Sequence, residues 1–140
     1  MAASTNAVLT VAVPNTGVAF VVEAVTASDG SGNLTTLFTA GTNGSRLDSV
    51  DVHNAQALAA ASSNMVVRVF VTDVNGANPT LLDEQAMVAA TRSTTVAGSA
   101  IKFVFAGGLL LKSGQIVKVC QSVYAGVQDK NGFVGRGGDF

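Results

Sequence analysis

The 140-residue sequence predicts an all-β fold: an antiparallel sandwich of two sheets, most economically a jelly roll, with eight or nine strands. Three observations carry that expectation. The composition favours strands over helices, with 22 Val and 13 Thr against 10 Leu and 2 Glu. Apolar residues alternate with polar ones, the repeat of a pleated strand with one face in a core. Residues comfortable at positive φ punctuate the runs at Asp29-Gly30, Asn43-Gly44, Asn75-Gly76, Ser113-Gly114 and Asn131-Gly132.

In chain order, strands are expected at 7–13, 18–26, 34–39, 46–53, 65–73, 81–88, 100–105, 115–124 and 132–140. The first two are nearly uncharged, with Pro14 between them and Glu23 the single charge. Either would invite pairing if it lay at a sheet edge. In 46–53, Leu47 falls on one phase and Val50 and Val52 on the other, which a bulge near Ser49 reconciles. In 65–73, Met65, Val67, Val69 and Val71 form a dry face; Val66, Arg68, Phe70 and Thr72 form one that is only partly wet. Ile101, Phe103 and Phe105 alternate with Lys102 and Val104, and Val117, Val119 and Val123 alternate with Lys118, Cys120 and Ser122. Residues 54–63, NAQALAAASS, break the pattern and suggest a connection with about one turn of helix, too short to stand alone.

A chain this long is a single domain, 1–140, able to build a core without disulfide or metal staples. Residues 1–6 are polar and read as a short flexible arm. The formal charge is −1 and the first basic residue is Arg46, so no basic arm is available to neutralise phosphates and nucleic acid is not an expected partner. Apolar runs such as Val18 to Val22, which stops at Glu23, are far short of a membrane span. No Lys or Arg precedes Val18 as a signal peptide requires, so synthesis and retention in a cytoplasm are expected.

Chemistry-bearing residues are sparse. His53 is the one imidazole; Asp51 shares its strand phase and Asp48 does not, and a solvent-facing strand residue is the better account than a general base. Cys120 is the sole cysteine, flanked by valines, and reads as a packed thiol rather than a reactive one. Asp73, Asn75 and Glu84 superficially suggest a calcium loop, but Ala77 stands where a ligand belongs and Asn78 where glycine is required, so a hairpin turn closed by Pro79 is preferred. Gly135, Gly137 and Gly138 precede no helix; they serve close backbone approach or an adaptable tail, not phosphate binding. The Asn33 and Asn43 glycosylation sequons are idle without a secretory route. No enzyme activity, metal, cofactor or small-molecule substrate is expected.

The surface is the anomaly. Only 12% of residues are charged, about half the ordinary share. Protein contact regions are depleted in Lys, Glu and Asp, so much of this exterior is expected to lie against other protein.

Three stretches carry a family resemblance: TTLFTAGTNGSRLDSV at 35–50, MVVRVFVTDVNGANPTLLDEQAM at 65–87, and GGLLLKSGQIVKVCQ at 107–121 before a last strand at 132–140. Together they resemble small virion proteins of tailed bacteriophages, specifically jelly-roll capsid decoration, or cement, proteins. The resemblance implies a non-enzymatic structural protein of the virion, made in the bacterial host cytoplasm. It implies the major capsid protein as partner and self-association, commonly as a homotrimer. The alanine-rich stretch 54–63 is longer than that pattern. Ala2, Ala3, Ser4, Thr5 and Asn6 at one end, and Gly138, Asp139 and Phe140 at the other, are the expected protein contacts, ordered on docking. The alternatives are a phage tail, fibre or baseplate subunit, or a carbohydrate-binding sandwich; the latter has no Trp and only Tyr124 to offer a sugar.

Overall fold

The computed structural model describes residues 13–55 and 60–140. Eight strands run β1 (Val13–Val21), β2 (Thr35–Thr39), β3 (Ser45–Asn54), β4 (Met65–Val71), β5 (Thr80–Met87), β6 (Ala100–Leu111), β7 (Ile116–Gln121) and β8 (Asn131–Asp139). One sheet has the order β1-β8-β3-β6 and the other β2-β7-β4-β5. Antiparallel ladders join β1 to β8, β2 to β7, β3 to β6 and β4 to β5. These four pairs are nested, as in one long hairpin rolled on itself, which is the jelly-roll arrangement.

Between the sheets the alternating residues meet. Leu47, Val50, Val52, Phe103 and Phe133 from the first sheet face Leu37, Val67, Val69, Val117 and Val119 from the second, all buried. Each such side chain contributes roughly 1.5–3 kcal/mol by leaving water. The expected bulge in β3 is present: the register with both β6 and β8 shifts between Leu47 and Ser49. It lets Leu47, Val50 and Val52 all point inward despite their unequal spacing. Arg46 and Asp48 pair beside it, Nε to Oδ1 at 2.8 Å.

Several boundaries differ from the sequence reading. Residues 13–21 form one strand running through Pro14 and Gly17, where a break was expected. β1 is an edge strand, the position in a sheet that tolerates proline. Gly17 is required there, because a Cβ would sit 1.9 Å from the Leu37 carbonyl oxygen of β2. The strand ends at Val21, not at 26, and residues 22–34 leave to cover the outer face of the second sheet. β6 continues past 105 to Leu111 because Gly107 and Gly108, at φ of 76° and 83°, carry the chain through an irregularity. Asn131-Gly132 opens β8 instead of making a turn, with Asn131 fully buried. The expected first strand, 7–13, lies outside the described residues except for Val13; of the proposed helical turn within 54–63, residues 56–59 lie outside them, Asn54 ends β3 and Ala61 makes a single bridge to Thr91.

Candidate functional site

Of the expected contact residues, Ala2, Ala3, Ser4, Thr5 and Asn6 lie outside the described residues. Gly138 and Asp139 are built into β8, a strand flanked on both sides, where they pair with Pro14 and Val13 of β1 and with Arg46 and Ser45 of β3. The Phe140 backbone N–H donates to Gly44 O at 3.2 Å. This end of the chain is ordered by its own sheet, so ordering on docking is corrected for Gly138–Phe140. The physical reason is close packing: a Cβ on Gly137 would lie 2.1 Å from Arg46 O, and glycine is what lets β8 fit there. The Asp139 carboxylate accepts from the Ser45 hydroxyl and from Asn15 Nδ2 at 2.8 Å. The Ser45 bond, followed by that of Asn15, holds its pKa below the ordinary 3.8.

The outward face of the first sheet carries Val18 and Phe20 from β1, Val134 and Arg136 from β8, Asp51 and His53 from β3, and Lys102 and Val104 from β6. Asp51 accepts from Arg136 Nε at 2.6 Å and lies 3.6 Å from Lys102 Nζ. Burial pushes the Asp51 pKa up, but the Arg136 hydrogen bond and the pull of both cations outweigh it and hold the group below 3.8. The carboxylate nearest His53 in strand phase is therefore committed to structural ion pairs. His53 is exposed and borders an apolar cleft of about 310 Å³ with Val18, Phe20, Gly132 and Val134. The Phe20 ring lies against Gly132, and the Lys130 ammonium stands 4.3 Å from its centroid.

On the outward face of the second sheet, Phe70 and Cys120 are buried beneath Val25 and Leu34 of residues 22–34. With this small second core the other phase of β4 is drier than the sequence suggests: Arg68, Phe70 and Thr72 are all buried. Burial raises the Cys120 thiol pKa, and the neighbouring Arg68 guanidinium offsets only part of that. Arg68 Nε donates to Glu84 Oε2 at 2.9 Å, while its buried Nη1 has no hydrogen-bond partner among the described residues. A protonated, covered thiol is a packing residue.

The β4–β5 connection is a turn. Asp73 accepts backbone N–H groups from Asn75 and Ala77, both at 2.9 Å, and Asn78 Nδ2 at 3.0 Å. Its oxygens hold the loop itself, with Gly76 and Asn78 at positive φ. Among the described residues no cluster of three or more His, Cys, Asp or Glu is placed to hold a metal ion.

Sequence reasoning missed a buried polar network at the end of the sandwich. Asp129 accepts from Ser63 N and Ala125 N, each at 2.7 Å, and from Ser63 Oγ at 3.0 Å. Gln121 Nε2 donates to Asp129 O at 2.7 Å, Asn131 Nδ2 to Gln121 Oε1 at 2.9 Å, and Asn54 Nδ2 to Asn131 Oδ1 at 3.1 Å. The one available signal was a run of polar residues at strand ends, Asn54, Gln121 and Asn131, which are ordinary loop residues when read locally. The network ties the connection after β7 to the segment before β4. Its carboxylate is spent on structural donors.

No protein-family model matches the sequence, and no curated protein matches it.

Proposed function

We propose that the chain is a virion structural protein of a tailed bacteriophage, decorating and stabilising the major capsid shell through non-covalent contacts. Self-association, as the homotrimer implied by the sequence resemblance, is part of this reading. The observation that carries it is the exterior. Among the described residues, Val13, Val18, Phe20, Val22, Val74, Leu81, Val88, Val96, Val104, Leu110 and Val127 are all exposed, on a chain with only 12% charged residues. Scattered apolar residues are ordinary on a protein surface; combined with so few charges they suit a surface that other protein covers. The carboxylates of Asp51, Asp73, Asp129 and Asp139 are engaged in ion pairs, a turn, a sealed network and strand-end hydrogen bonds, the Cys120 thiol is covered, and His53 at its cleft has only the ion-paired Asp51 in its strand phase, which together support a non-enzymatic role. A jelly roll hosts many activities, so the fold alone does not choose among them.

The test is co-sedimentation with empty shells assembled from a tailed-phage major capsid protein, followed by electron microscopy of labelled particles. The expected result is saturable pelleting with label on the shell. Label on the tail instead favours the tail, fibre or baseplate reading. A chain that stays in the supernatant as a monomer overturns the proposal.

A further inference from the structure

Among the described residues the two sheets have four edge strands, and three of them carry a device against pairing. β5 presents exposed Asp83 and Glu84, β6 carries Lys102 and the Gly107-Gly108 irregularity, and β2 is only five residues long. Charges, kinks and shortness are the usual defences of a sheet edge. β1 is nine residues long without a charged side chain, and among the described residues β8 is its only strand partner. Its outward side chains Val18 and Phe20 are 65% and 51% exposed.

We propose that β1 pairs edge to edge and antiparallel with β1 of a second copy, about a two-fold axis at Ala19. This deepens the self-association in the reading above and needs no shell. Pro14, which lacks an N–H, and the outward apolar residues together choose the register. With Ala19 opposite Ala19 of the partner, residues 17–21 pair, Pro14 falls beyond the paired stretch, and Val18 stands opposite Phe20 twice. Aromatic and β-branched residues directly across a ladder are a favourable combination. No like charges oppose one another: the nearest flanking carboxylate, Glu23, faces Asn15 of the other copy. A two-fold contact about the middle of β5, between Asp83 and Glu84, would set the Asp83 carboxylate of each copy opposite Glu84 of the other, which is why the second copy's β1 is the fitting occupant. Five paired residues a side give an interface at the small end of the known size range, so a concentration-dependent dimer is expected. An isologous contact builds even-numbered assemblies, a dimer from single chains or a hexamer from trimers.

Sedimentation velocity on the full chain, from micromolar to sub-millimolar concentration, tests this. The expected species has twice the 14.1 kDa of one chain, or another even multiple. Val18→Lys is expected to weaken the association at least about tenfold. Val104→Lys, at a 66% exposed position on the opposite edge of the same sheet, should leave it unchanged. An equal mixture of Val18→Cys and Phe20→Cys chains should cross-link on oxidation, because these exposed positions face each other across the axis, while the folded wild type, whose Cys120 is buried, should not cross-link. A monomer throughout overturns the proposal, whether residues 1–12 of the same chain or nothing covers the edge. So does a final assembly of odd number, or an equal loss in the Val18 and Val104 variants. A trimer that still decorates shells would remove this contact and leave the shell reading standing.

Discussion

Asp129 shows how much of this sandwich hangs on single buried polar groups. Its side chain gathers two backbone N–H donors and a hydroxyl in a site closed to water. Asp129→Ala orphans the Ser63 and Ala125 donors and is expected to cost at least about 2 kcal/mol in urea denaturation, because a buried unsatisfied donor keeps its desolvation penalty. Asp139 acts differently, through its protonation equilibrium. Its folded pKa is depressed by Ser45 and Asn15, so its contribution is complete above the unfolded value of 3.8 and is lost as pH falls through the lower folded value. Asp139→Asn should therefore lower Tm at neutral pH and flatten the acid limb below that value, measured by thermal melts across pH. A parallel acid limb in the variant would refute the linkage.

At the scale of elements, close approach and cover decide what the strands do. Gly17→Ala places a methyl against the Leu37 carbonyl, where no side-chain rotation relieves it, and β1 must separate from β2. The expected outcome is a loss of more than about 3 kcal/mol or failure to fold, read from the same denaturation curves. Residues 22–34 are a cover whose own apolar residues, Val25 and Leu34, are its attachment. Val25→Asp should loosen it and raise the rate of Cys120 modification by a thiol reagent at least about tenfold while the strand signal in circular dichroism persists. Unchanged labelling would mean that the thiol is protected by β4 and β7 alone. These same elements mark what the sequence disclosed. Apolar alternation located β4, β7 and the first half of β6, and the unequal phases of Leu47, Val50 and Val52 located the bulge in β3, since both are local consequences of the pleat. The continuity of β1 through Pro14, the second core under 22–34 and the Asp129 network depend on residues distant in sequence, and no local period encodes them. For the contact surface, the uncharged edge was visible in residues 18–22, but that this strand ends its sheet is a property of topology.

Across the whole molecule, the nested ladders place the most distant partners last in the nest. β4 and β5 meet across a short turn, whereas β1 must find β8 from the far end of the chain. Folds dominated by such pairings form in roughly milliseconds to seconds, and refolding followed by stopped-flow fluorescence or circular dichroism should fall in that range. Removing β8 strips β1 and β3 of a common partner, and a chain ending at Lys130 is expected to remain unfolded by circular dichroism. The Val13–Asp139 pairing has one more consequence. Because the two outermost strands finish alongside each other, a short tether can splice them, and the chain can be reopened at Asn75-Gly76 without severing any ladder. Such a circular permutant would keep the architecture but turn the order of assembly inside out, making the easiest hairpin the hardest to close.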